Sequence, residues 1–102
     1  MKNPESDPAI RRYREQISDA DTNILEALNN RLELVQQLKR YKDEQGLGFV
    51  DPTQEGWVLT YLSRLNRGPL SQEALQELFS VILSLTKQEV ARLEEEAGQR
   101  EA

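Results

Sequence analysis

Residues 10–42 read IRRYREQISDADTNILEALNNRLELVQQLKRYK, and their spacing decides the fold. Positions 10, 14, 17, 21, 24, 28, 31, 35, 38 and 42 step by four and three without a break. That is the repeat of a stripe along one face of a continuous helix. Ile10, Ile17, Ile24, Leu28, Val35 and Leu38 make the stripe apolar. Arg14, Asp21, Arg31 and Lys42 interrupt it. A charge drawn into an apolar stripe is costly unless an opposite charge meets it. Three cations against one anion leave positive charge over, and the simplest partner is a small anionic ligand. The competing reading is that these side chains reach to the surface or pair with Asp21, Glu26 or Glu33.

The stripe sits in a helix expected over about residues 8–45. Asp7 caps it, Pro8 takes its first position, and Gly46 and Gly48 end it. A helix of about 37 residues is roughly 55 Å long. A compact chain of this size has a radius of gyration of about 13 Å. Such a helix needs a partner along its length, and a second copy of the chain is the obvious one. A second helix is expected over 52–66, with Asp51 as cap, Gln54 as in a capping box, and Val58, Leu59, Leu62 and Leu65 as its apolar face. Asn66-Arg67-Gly68-Pro69 reads as a turn. A third helix is expected over 71–97, capped by Ser71, with a stripe of Leu75, Leu78, Phe79, Ile82, Leu85, Thr86, Val90 and Leu93. Residues 98–102 read as a frayed tail. The expectation is an all-α protein: three helices, one very long, in one domain over residues 1–102, intertwined as a homodimer.

Composition narrows the chemistry. The 102 residues carry a net charge of −5, which argues against a broad nucleic-acid surface. With no cysteine, disulfides and thiolate metal sites are excluded. With no histidine, the commonest metal ligand and the commonest base near neutral pH are missing. A reaction here is expected to need no metal, cofactor, covalent nucleophile or proton shuttle. No stretch approaches the roughly 20 apolar residues of a membrane span, and the N-terminus shows no signal pattern. A cytoplasmic location is the expectation.

The cations can be placed on the helix. Arg31 and Lys42 are eleven residues apart and share a face, with Cα atoms roughly 16 Å apart. Two long side chains leaning together would clamp a small dianion. Arg14 lies roughly 25 Å from Arg31 along the axis, out of reach of the same ligand. Its contribution would come from an antiparallel second copy. Glu55 falls on the apolar side of the second helix; the bland reading is an acid favoured by the helix dipole. Asp51 reads as a cap on spacing alone, and Thr86 as a core hydroxyl bonded to the preceding turn.

These residues also carry a resemblance. YREQISDADTNILEALNNRLELVQQLKRYKDEQGLGFVDPTQEGWVL resembles the AroQ-type, all-helical chorismate mutases. That family shows an Arg, an Ile-x-x-x-Asp-x-x-Ile pattern, a second Arg, a Lys about eleven residues on, a Gly-containing loop and an Asp-x-x-Arg-Glu opening to the second helix. Here these fall on Arg14, Ile17 with Asp21 and Ile24, Arg31, Lys42, Asp51, Gln54 and Glu55, and the likeness runs from about residue 10 to 93. It implies an isomerase that rearranges chorismate to prephenate in the shikimate pathway, toward phenylalanine and tyrosine. It implies an intertwined homodimer with two shared sites. Arg31 and the second copy's Arg14 would bind the substrate carboxylates. Lys42 would donate to the ether oxygen. Glu55, with the backbone near Asp51, would hold the ring hydroxyl, and Thr86 would stand where the family often has Ser.

Two departures stand out. Gln54 replaces the family's Arg. Counting from Phe79, Val90 takes the place of an ether-oxygen donor and cannot donate. A shift of two residues gives Ser84 and Gln88 instead, but Gln88 lies off the apolar phase. Alternatively another group such as Lys87 reaches in. Val90 and Gln88 are therefore both candidate substrate contacts. Two other functions fit the same scaffold: an isochorismate–pyruvate lyase, and a catalytically weak helical dimer acting as a regulatory module.

Overall fold

A computed structural model describes residues 6–101. Residues 1–5 and Ala102, the ends of the expected single domain, lie outside the described residues. Three helices follow in order: α1 over Pro8–Glu44, α2 over Pro52–Leu65 and α3 over Gln72–Glu101. There is no strand among the described residues. The chain divides into two compact units, and the division falls inside α1, between Glu33 and Leu34.

The first unit is the N-terminal part of α1. The Asp7 carboxylate accepts from the Ala9 N–H at 2.8 Å, and the Asp7 carbonyl accepts from the Arg11 N–H at 3.0 Å. These satisfy donors that a helix start leaves open. Every residue from 11 to 30 is exposed. Ile17 keeps 59% of its surface and Ile24 57%, although both belong to the apolar stripe.

The second unit holds the rest of α1 with α2 and α3. The end of α1 is closed by a Schellman turn: Gly46, at φ 71°, donates to the Asp43 carbonyl at 3.1 Å, and Leu47 donates to that of Lys42 at 2.8 Å. A residue with a Cβ adopts that φ poorly, which is why glycine stands there. Asp51 caps α2, its carboxylate accepting from Thr53 N–H at 3.1 Å and Gln54 N–H at 3.2 Å. Asn66 ends α2 and shapes the turn, donating to the Leu70 carbonyl at 2.8 Å and accepting from Gly68 N–H at 3.0 Å. Ser71 caps α3 by accepting from Ala74 N–H at 3.1 Å.

α3 runs to Glu101, past the end near residue 97 that its sequence suggests. Arg92 explains the continuation in part. It donates to Glu89 and to Glu96, each at 2.8 Å, and so bridges two turns of a segment rich in helix formers. Each bond favours the charged pair: the Arg92 guanidinium holds the Glu89 carboxyl below its usual range.

α2 packs on α3. Among the described residues the buried apolar side chains are Leu75, 5% exposed, and Val90, 0% exposed. Leu78, Val81 and Leu85 of α3 remain exposed. This is little burial for so many apolar residues, so each fully buried group matters.

Val90→Gln would put an amide where no solvent reaches and add volume to a filled space. We expect it to lower the unfolding free energy by roughly 2 to 4 kcal/mol. The urea midpoint measures this, and an unchanged midpoint would mean that the position opens to solvent.

Candidate functional site

The sequence-predicted residues divide between the two units. In the first, Arg14 is exposed and lines a shallow hollow of about 340 Å³ with Arg11, Glu15, Ser18 and Asp19. Two guanidinium groups and two carboxylates line it, so their formal charges balance. Arg31, near the end of that unit, is half-buried.

In the second unit a chain of short contacts links the three helices. Lys42 stands in the last turn of α1, half-buried, and its Nζ donates to the Phe49 carbonyl at 3.3 Å. That carbonyl belongs to the loop that leads into Asp51. The Schellman turn sets the course of this loop, so the helix that carries Lys42 also positions its acceptor. Lys39, one turn earlier, lies 6.0 Å from the Phe49 ring centroid and bonds to Asp43 at 2.7 Å. The Asp43 bond raises the Lys39 pKa above its ordinary value.

Asp51 spends its carboxylate on the cap, and its carbonyl accepts from the Glu55 N–H at 3.1 Å. Gln54 is exposed beside it. Glu55 is half-buried and pairs with Lys87 of α3, Oε1 to Nζ at 2.7 Å. This brings together two groups far apart in sequence. Thr86 is half-buried, and its hydroxyl donates to the Ile82 carbonyl at 2.6 Å, back along the helix. Gln88 is exposed and donates to Ser84 Oγ at 3.4 Å.

The register set by Phe79 places Val90 among the substrate contacts, and in this chain its side chain is fully buried. One face of α3 serves both for packing and for site residues, and its period alone does not separate them.

The residue that spacing undervalued is Lys87. A signal for it existed: Glu55 sits on the apolar side of α2, where a carboxylate needs a counter-charge. Which cation supplies it depends on how α2 crosses α3. A larger hollow of about 550 Å³ also lies between these helices, lined by Gly56, Leu59, Thr60, Ser63, Arg64, Gln72, Gln76 and Ser80. Apart from Leu59, read as part of the apolar face of α2, it contains none of the residues singled out by sequence. No cluster of acidic residues that would hold a metal ion occurs among the described residues. No helix among them is long and apolar enough to cross a membrane.

Comparison with known proteins gives this arrangement a family. The chain is 35% identical over 81 residues to the bifunctional chorismate mutase/prephenate dehydratase of Pseudomonas aeruginosa. It is 32% identical over 81 residues to the protein of that name from Stutzerimonas stutzeri. Each match takes in 74% of this chain and 22% of the relative, so the chain spans about a fifth of the length of these curated relatives. Among solved structures it resembles chorismate mutase from Thermus thermophilus. Form II superposes with a TM-score of 0.77 at 32% identity, covering 82% of this chain and 96% of that one. Form I gives a TM-score of 0.74 at 33% identity, covering 76% and 98%. The sequence profile of chorismate mutase type II matches residues 13–91, and the chain therefore belongs to that family.

Proposed function

We propose that this chain is a chorismate mutase, isomerising chorismate to prephenate in the cytoplasm on the route to phenylalanine and tyrosine. The observation that carries the reading is the family match over residues 13–91, and Arg31, Lys42, Asp51 and Glu55 stand where the resemblance expects them. The chemistry suits what the chain contains. One C–O bond breaks and one C–C bond forms within a single molecule, and no proton, metal or nucleophile takes part. The protein has to hold the compact conformer that brings the two carbons together. It also has to stabilise the negative charge that grows on the ether oxygen.

In this reading Arg31 binds one substrate carboxylate and Lys42 reaches the ether oxygen. Lys42 is half-buried and donates to the Phe49 carbonyl at 3.3 Å, which leaves it N–H groups to donate to a ligand. Glu55 accepts from the ring hydroxyl, near the backbone at Asp51. Thr86 adds a hydroxyl from α3. Gln54, lacking the family's guanidinium, leaves binding of the carboxylates to fewer cations.

The reading includes an antiparallel homodimer in which Arg14 crosses to the other copy's site. Its support is the exposure of Ile17, Ile24, Leu28 and Leu38, apolar residues of the stripe that keep 39 to 59% of their surface. Burying such side chains contributes roughly 1.5 to 3 kcal/mol each, which gives association a large driving force.

The direct test is loss of chorismate absorbance on mixing with purified protein, with prephenate identified as the product. Release of pyruvate from isochorismate would assign the lyase instead, and no turnover of either would assign a silent helical module. Sedimentation should show a dimer at micromolar concentration, and Leu28→Glu should abolish folding and association together. A stable folded monomer would exclude the shared site.

Arg14→Ala and Arg31→Ala homodimers should each be nearly inactive. Refolding a mixture of the two should regenerate sites that hold both arginines, and activity should return. If mixing restores nothing, Arg14 does not act across the interface.

Lys42→Ala should lower kcat by about a hundredfold or more, because charge on the ether oxygen strengthens only toward the transition state. The arginines meet carboxylates charged in both states, so their loss should appear largely in KM. Steady-state kinetics separates the two, and an unchanged kcat for Lys42→Ala would remove it from the mechanism.

A further inference from the structure

We propose that Lys87 is a positioning and charge-neutralising residue for Glu55, so that a carboxylate can serve in a site that binds a dianion. This rests on the mutase reading of the same site. A carboxylate that accepts from the substrate's hydroxyl also repels the substrate's two carboxylates. Something must cancel that charge without occupying both oxygens.

The ion pairs of the second unit separate into two kinds. Those of Lys39 with Asp43 and of Arg92 with Glu89 and Glu96 each close within one helix. That of Lys87 with Glu55 joins α3 to α2. At 2.7 Å it is a direct hydrogen-bonded contact, whereas Arg40 of α1 and Glu94 of α3 approach only to 3.8 Å. The contact uses Oε1 of Glu55. Side chains of the pair are 41% and 31% exposed for Lys87 and Glu55, intermediate between solvent and core.

Two further facts fit. Lys87 directly follows Thr86, so the α3 residue assigned to the site and the cation are neighbours in the chain. And the arginine of the family's Asp-x-x-Arg-Glu opening is Gln54 here, one residue before Glu55. With that guanidinium gone, Glu55 lacks its nearest cation in sequence, and α3 supplies one across the helix interface.

A hydrogen bond between charged groups is worth more than one between neutral groups, so its loss should be measurable. Lys87→Met should raise KM for chorismate by about two- to fivefold, the range left for a partly exposed, solvent-screened pair, with kcat changed much less, since the repulsion acts on bound substrate and transition state alike. Lys87→Arg should restore most of the loss. In a Glu55→Gln background, where no charge remains to cancel, Lys87→Met should add little. Arg92→Met, which breaks ion pairs within α3, serves as a control and should leave KM unchanged. Thermal denaturation of each variant reports whether the helices stay packed.

A wild-type KM in Lys87→Met, with or without a lower melting temperature, would overturn the proposal and leave the pair as a tie between helices. Additive losses in the double variant would also overturn it and make Lys87 a direct substrate contact. Absence of chorismate turnover in the unmodified protein would overturn the mutase reading and the proposal together.

Discussion

An apolar side chain stabilises a fold only when something takes it out of water, and this chain has little with which to do so. Leu75 and Val90 are buried, whereas Ile17 and Ile24 on α1 and Leu78, Val81 and Leu85 on α3 are left in solvent. Local terms hold the helices instead: a carboxylate cap on α1 and α2, a hydroxyl cap on α3, a glycine turn after α1 and the Arg92 bridge. Such terms contribute about a kcal/mol each and define where helices begin and end, but they do not supply a core. The proposed second copy answers this shortage. In that proposal the same need would drive association and complete the site, since the partly exposed stripe also carries Arg14, Arg31 and Lys42.

The second unit shows how charge is managed on the remaining interface. Lys42 leans on a carbonyl, Asp51 turns its carboxylate to backbone N–H groups, and Glu55 meets Lys87. Each group has a partner within the chain and retains bonding capacity. In the proposed site these groups would be oriented, yet each can still accept or donate once more.

Much of the fold was legible because it is encoded locally. Asp51 and Ser71 as caps, Gly46 as the stop of α1, and the three helices in order follow from spacing and from turn chemistry. The end of α3 was not, because Arg92 joins Glu89 and Glu96 across turns that composition alone suggests will fray. A period of 3.6 puts packing residues and candidate site residues on the same face of α3, so the pattern alone does not record that Val90 is fully buried. The Glu55–Lys87 pair depends on the crossing of two helices, and no one-dimensional pattern records that. Lys42 was singled out as a charge in an apolar stripe, but its Phe49 acceptor is a backbone atom and leaves no trace in side-chain spacing. Among the sequence-predicted residues, Arg14 and Arg31 belong to the first unit, and their roles rest on the resemblance and the exposed stripe.

The turn between α1 and α2 has one more implication. The Gly46 stop, the Lys42–Phe49 bond and the Asp51 cap all lie within residues 42–54, so each closes only a short loop and costs little chain entropy. The contacts that define this corner therefore come from one contiguous stretch of sequence and close without any residue of α3.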